Sequence, residues 1–319
     1  MKIATVARIL TGTAAALLAA GAAQAQSTQF VNVLTGGTSG VYYPLGTALS
    51  TIYNQEIPNA KATVQATKAS AENLNLLQAG RGEIAFALGD AVANAFAGNE
   101  EGGFPKELKK LRAISGTYDN YIQIVANAES GIKTLADLKG KRISVGAPKS
   151  GTELNARALL KAAGLSYKDF DKVEYLPFGE SVELMKNRQL DVTLQSAGLG
   201  VSSIRDLATS VKIVVVSIPA DVVAKVGDPA YQPAEIPAGT YDGQTSAVPT
   251  AAINNILVSH TGVSDDLADR MTKSLYGNLD MLVASHKAAS AIKLENATKV
   301  PIPLHPGAEK FYKEAGVLK

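Results

Sequence analysis

Two short loops carry the residue types best suited to holding an anion: Gly36-Gly37-Thr38-Ser39-Gly40 and Gly146-Ala147-Pro148-Lys149-Ser150-Gly151-Thr152. Each follows an apolar, β-branched run and precedes a stretch with helical spacing of apolar residues, so each predicts a strand, a tight turn and a helix start. The first amides of a helix have no intrahelical acceptor and lie at the positive end of the helix dipole, where a carboxylate or phosphate is held without a cationic side chain. The candidate ligand contacts are Gly37, Thr38, Ser39 and Gly40 in the first loop, Tyr42 and Tyr43 just beyond it, and Ala147, Ser150, Gly151 and Thr152 in the second. Taken singly, either loop also reads as an ordinary Ser or Thr helix cap, and the tyrosines as core packing on the first helix. The pairing of the loops is what favours binding.

Further candidates stand at equivalent strand and helix ends. Ser70 and Asn73 open the next helix, Gly89 and Asp90 follow the third strand, and Gln195, Ser196 and Ala197 end the matching strand of the second half, near the helix start Gly179-Glu180-Ser181. Asn155, Arg157 and Tyr231 complete the set. Ser70 reads equally as a plain N-cap, and Arg157 either as a bidentate partner for a carboxylate or as a solvated helix-face arginine.

Enzyme templates find little to match. The dinucleotide, phosphate-loop, nucleophile-elbow and zinc-protease motifs are absent. The three histidines, His260, His286 and His305, lack ligand spacing, and there is no cysteine, so thiol chemistry, disulfides and cysteine metal sites drop out together. The tetrads Ser130 to Lys133 and Ser290 to Lys293 match S-x-x-K, but without its companion motifs they are chance. Neither an enzyme nor a resident metal or cofactor is expected.

The elements that must position these residues alternate between strands and helices, as in an α/β protein with a mostly parallel sheet. Strands are expected at Phe30–Leu34, Ala62–Ala66, Ile84–Leu88, Tyr121–Ala126, Arg142–Val145, Val173–Leu176, Val192–Gln195 and Lys212–Ser217. The helix after Gly40 places Val41, Leu45, Ala48, Leu49 and Ile52 on one face. The sequence also echoes itself. Val31 to Gly40 and Arg142 to Gly151 are each a strand and a loop ending in Ser-Gly, and Leu76-Leu77 with Glu83 to Phe86 is matched by Leu184-Met185 with Asp191 to Leu194. Two similar lobes follow, the first holding 26–120 and 246–319 and the second 121–245, with the boundary where Gly116 to Asn120 leads into the strand at Tyr121. The segment holding Pro229, Pro233, Pro237, Gly239, Gly243 and Pro249 reads as extended loop, Ala251–Ser259 as a strand returning to lobe one, and Ser264-Asp265-Asp266 as the start of a helix.

Residues 1–25 read as a cleaved secretory leader: Lys2 and Arg8, an Ala-rich apolar run from Ile9 to Ala23, and the small-x-small site Ala23-Gln24-Ala25. Its loss takes the 31 basic residues to 29, equal to the 29 acidic ones, which argues against nucleic acid or an anionic membrane as partner. No later segment has the apolar length of a membrane span, and without a cysteine there is no lipid anchor. A freely diffusing periplasmic protein is expected, a monomer by fold analogy.

Three segments together carry a family resemblance: Gly37-Thr-Ser-Gly-Val-Tyr-Tyr-Pro44, Val145-Gly-Ala-Pro-Lys-Ser-Gly-Thr-Glu-Leu-Asn-Ala-Arg157 with Leu159-Leu160 and Ala163-Gly164-Leu165, and Leu304-His-Pro-Gly-Ala308 with Phe311-Tyr312 and Gly316. The mature chain, over essentially its whole length, resembles the TAXI family, the solute receptors of tripartite ATP-independent periplasmic (TRAP) transporters. The strand ends Ala87-Leu-Gly-Asp90 and Gln195-Ser-Ala-Gly198 depart from the family's aromatic-rich versions. The resemblance implies a two-lobe Venus-flytrap fold of type II with the ligand in the interlobe cleft, delivery to a TRAP permease, and a glutamate-, glutamine- or 2-oxoglutarate-like ligand held around Ser39, Tyr42, Ser150 and Thr152. Other readings are the binding protein of an ABC importer, the ligand domain of a two-component sensor, an exported hydrolase using Ser39 or Ser150, and an exported thiamine-precursor or transcription-factor-like effector domain.

Overall fold

The computed structural model describes residues 28–319; the expected leader and its cleavage site lie outside the described residues. The first β-α units run β1 Gln29–Leu34, α1 Tyr42–Glu56, β2 Ala60–Gln65, α2 Ser70–Gln78, β3 Ile84–Leu88 and α3 Gly89–Ala97. A long strand, β4 Leu111–Asn127, leads to β5 Arg142–Ser144, α4 Gly151–Ala162, β6 Lys172–Glu174, α5 Phe178–Lys186, β7 Val192–Ala197, α6 Ser202–Ser210, β8 Ile213–Val216, α7 Ala220–Lys225 and β9 Gln232–Ile236. A second long strand, β10 Val248–His260, precedes α8 Asp265–Gly277, α9 Leu279–Ser285, α10 Leu294–Ala297 and α11 Pro306–Glu314.

The strands form one sheet in the order β2-β1-β3-β10-β4-β7-β5-β6, with β8 and β9 paired to β4 and β10. The order reads the same from both ends: a parallel triad with the first strand of its unit in the middle, then a long antiparallel strand. The sequence echo is thus a topological repeat. β4 and β10 lie side by side and pass from one triad to the other, with Asp119, Asn120 and Tyr121 opposite Asn254, Ile253 and Ala252 where they cross.

Both faces of the sheet are covered, which is why β3, Ile-Ala-Phe-Ala-Leu, is buried throughout. Ile84 and Phe86 pack with Leu45, Leu49 and Ile52 of α1 and Met271 and Leu275 of α8. Ala85, Ala87 and Leu88 pack on the other face with Leu74 of α2, Val92 of α3 and Leu159 of α4. Ser264 caps α8 as expected, accepting from the Leu267 amide at 3.2 Å.

Two readings of the sequence are corrected. The strand expected to begin at Tyr121 begins ten residues earlier, so Gly116–Asn120 lies inside the 17-residue β4, Leu111–Asn127. Its glycine serves close packing, since a Cβ at 116 would stand 2.9 Å from the Asn296 carbonyl oxygen. The Pro-rich segment is not all loop, because β9 pairs with β10 from Gln232 to Ile236, as an edge strand that can carry Pro233.

Candidate functional site

Four helix starts, two from each half of the sheet, bound one cavity of about 90 Å³: Val41-Tyr42 of α1, Ala69-Ser70 of α2, Ser150-Gly151-Thr152 of α4 and Pro177-Phe178 of α5. Local sequence makes each of them. After β1, the Gly40 amide closes a turn onto the Gly37 carbonyl at 3.0 Å, and α1 begins with no side-chain cap. Ala69 holds the α2 start at φ 68°, a conformation costly for a residue with a Cβ. The Thr67 hydroxyl accepts the Ala69 amide at 2.9 Å and donates to the Thr35 carbonyl, which fixes that strained corner. At α4 the turn is made by Gly146, φ 92°, whose Cβ would stand 2.7 Å from the Thr152 side chain. The Ser150 hydroxyl then caps the helix, accepting the Glu153 amide at 3.1 Å.

Between the helix starts runs a hydrogen-bonded chain that crosses the sheet. The Tyr42 hydroxyl donates to Asn255 Oδ1, and Asn255 Nδ2 donates to the Tyr118 carbonyl and to Asn120 Oδ1, both at 2.8 Å. Asn120 Nδ2 donates to the Ser196 carbonyl at 3.0 Å, and the Ser196 hydroxyl to Asn155 Oδ1 at 2.7 Å. Asn155 Nδ2 and the Tyr231 hydroxyl then donate to Asp90 Oδ2 at 2.6 and 2.9 Å. Burial pushes the Asp90 carboxyl up to about 6, against the pull of the Ala91 amide, Tyr231 and Asn155 and with a push from Asp228. Burial likewise holds the Tyr42, Tyr118 and Tyr231 phenols above their ordinary value, so all three are proton donors at neutral pH.

The structure brings Gly37, Gly40, Tyr42, Ser70, Ala147, Ser150, Gly151, Thr152, Ser196 and Ala197 to the cavity wall. It leaves the others elsewhere. Thr38 and Ser39 lie outside the wall, and Ser39 is no cap, because α1 starts three residues beyond it. Tyr43 points off the cavity. Asn73 is a buried brace, donating to the Thr35 and Phe86 carbonyls at 2.6 and 2.9 Å. Gly89 packs tightly under β10, with the Asn254 carbonyl 3.0 Å from where a Cβ would be. Gln195 alternates to the far face of β7 and accepts from Ser203 at 2.7 Å. Asp90, Arg157 and Tyr231 line an outer groove beside α3 and α4, and Arg157 is tied to Glu153 at 2.7 Å. Asn155 joins the groove to the cavity through the chain above.

Sequence reasoning missed Tyr118, Asn120, Lys68, Leu88 and Phe178, all on the wall. Tyr118 and Asn120 fell before the expected strand start at Tyr121; the aromatic-polar alternation Tyr118-Asp119-Asn120-Tyr121 was the signal available. The three histidines play the same structural part, since Nδ1 of His260, His286 and His305 accepts the amide two residues on, at 3.0 to 3.2 Å. Among the described residues there is no cluster of metal-ligating side chains and no helix long and apolar enough to cross a membrane.

Two mirrored α/β triads joined by two crossing strands, with helix starts from both on one cavity, define the mixed α/β fold of type II periplasmic binding proteins. The chain belongs to the NMT1-like family, whose model matches residues 33–316. Its fold is similar to that of PhnD1 from Prochlorococcus marinus (MIT 9301), solved in complex with methylphosphonate, at 11% identity and a TM-score of 0.58 over 92% of this chain and 100% of that one. It is also similar to a candidate L-cystine ABC transporter from Listeria monocytogenes, at 14% identity and a TM-score of 0.52 over 83% and 98% of the two chains. At such identities the likeness is one of fold.

Proposed function

We propose that this protein is a periplasmic solute-binding protein that captures a small organic anion between two lobes, 26–120 with 246–319 and 121–245, and hands it unchanged to a membrane permease. One observation carries the reading: four helix starts, drawn from both halves of the sheet, bound a single cavity. An anion there is favoured by the free amides and dipoles of both halves, and so favours the state in which the halves are together. The wall residues include no histidine, aspartate or glutamate to serve as a general base, so capture is favoured over turnover. The export leader and the monomeric state belong to the same reading.

The resemblance to TAXI receptors points to a TRAP permease, whereas a neighbour described as an ABC transporter favours an ATP-driven importer. Transport into vesicles carrying each type of permease, driven by a sodium gradient or by ATP, separates the two. The binding reading is tested by thermal unfolding of refolded residues 26–319 against keto acids, amino acids including glutamate and glutamine, and dicarboxylates including 2-oxoglutarate. A ligand of the folded state raises the midpoint by mass action and is recovered chemically intact. Conversion of the compound by the protein would refute the reading.

A further inference from the structure

The charges on the cavity wall narrow the ligand further, on the footing that the cavity is the binding site. Lys68 is its only charged residue, and that side chain is exposed. No acidic residue lines it; Asp90 belongs to the outer groove, with its oxygens taken by Ala91, Asn155 and Tyr231. An ammonium group moved here from water would lose its hydration without meeting a carboxylate, while an oxyanion meets helix starts on several sides.

A second feature points to the ligand independently. Tyr118 lines the cavity, is 1% exposed, and has a hydroxyl with no hydrogen-bond partner. Its ring is held in place by Gly198, where a Cβ would come within 3.2 Å of it. A buried hydroxyl held without an acceptor is costly, and an oxygen of a bound molecule would satisfy it. Size gives the third constraint. The cavity, about 90 Å³, is smaller than the roughly 150 Å³ that takes a benzene ring, so it suits a body of about four to five heavy atoms. Val41, Leu88 and Phe178 supply apolar wall for the part that is not charged.

We propose that the ligand is a compact organic oxyanion, a single anionic head group on a short apolar body with no ammonium group, and that the Tyr118 hydroxyl donates to it and sets the specificity. The test is calorimetric titration of refolded wild type and Tyr118→Phe with pairs that differ by the ammonium alone, propionate against alanine and butyrate against 2-aminobutyrate, together with pyruvate, methylphosphonate and methanesulfonate. The expected result is binding of at least one small oxyanion, at least tenfold weaker binding of ammonium-bearing partners, and about tenfold weaker binding by Tyr118→Phe with an unliganded melting midpoint no lower than that of wild type, since the unpartnered hydroxyl is removed. The methylphosphonate, methanesulfonate and carboxylate arms identify the head group. Binding of alanine or 2-aminobutyrate as tight as that of its ammonium-free partner overturns the proposal and leaves the solute-binding reading standing, as does unaltered affinity in Tyr118→Phe. Absence of binding by every compound after refolding overturns both.

Discussion

Replacing Asp90 by asparagine isolates what it costs to bury one carboxyl between the halves of the sheet. Asp90 is 3% exposed in the first turn of α3, accepts the Ala91 amide at 2.7 Å, and takes Asn155 and Tyr231 from the other half. Its value rises from 3.8 to about 6 because burial outweighs those hydrogen bonds. A folded-state value above the unfolded one means that the native protein holds the proton more tightly. Asp90 therefore contributes stability at low pH and loses it as the pH rises from about 4 to about 6. At about 1.4 kcal/mol per tenfold change in proton affinity the full span is at most about 3 kcal/mol, of which roughly 1 kcal/mol falls between pH 7 and pH 5. Arg157 lines the same groove and, raised further above its ordinary value by its hydrogen bond to Glu153, keeps its charge over that range, so it adds no slope of its own. Other carboxyls do, such as Asp191, held below its ordinary value by Arg142, so the readout is the difference between wild type and Asp90→Asn in urea unfolding at the two pH values. Wild type gains about 1 kcal/mol on the variant on going from pH 7 to pH 5. Parallel pH dependence of the two proteins would show that Asp90 carries no such burden and would refute the reasoning.

Four further substitutions separate structural roles from binding ones. Ser150→Ala removes the cap on the Glu153 amide and should cost about 1 kcal/mol in urea unfolding, whereas Ser39→Ala, which caps nothing, should stay within about 0.5 kcal/mol. Gly307→Ala would set a Cβ 2.1 Å from the Asp265 carbonyl oxygen and 2.7 Å from the Asp269 amide, both backbone atoms of α8, so thermal unfolding should show a loss of about 3 kcal/mol or more. Asn73→Ala strips the buried Thr35 and Phe86 carbonyls of a donor and should cost about 2 to 4 kcal/mol, while calorimetric affinity per folded molecule stays the same.

What the sequence made legible is what short-range physics decides. The five-residue apolar run of β3, the helical stripe of α1 and the Ser264 cap each need only their neighbours in the chain. The first half of β4 is different. Ser115-Gly116-Thr117 has the composition of a turn, and it is a strand only because β10 lies along it and takes up its polar groups, as where the Thr117 hydroxyl donates to the Asn255 carbonyl at 2.9 Å. Ser39 stands out in the sequence by its likeness to Ser150, yet the two loops end differently: Ser150 begins α4, whereas Val41 and Tyr42 are buried and begin α1. Tyr118, Phe178 and Asn120 meet only because two strands cross and two halves close, and no local pattern encodes that.

The same geometry limits what a ligand must supply. Direct bonds already join the halves: the Glu72 amide donates to the Lys149 carbonyl at 3.2 Å, the Ser202 hydroxyl to the Ser39 carbonyl at 2.9 Å, and Asn155 and Tyr231 to Asp90. Each such bond is worth about 1 kcal/mol net against water, and the Asp90 bonds are set against the burial of its charge. On the proposed reading, a bound anion adds to these bonds through the helix starts on both sides of one oxyanion, and shifts the population only by its preference for the closed over the open state. Two strands rather than one connect the halves, so on the proposed binding reading release of a ligand would require a bend of β4 and β10 near Asn120 and Ile253. Asn120 stands at that crossing and bonds both to Asn255 and to the Ser196 carbonyl, so any such bend would strain hydrogen bonds of a residue that also lines the cavity.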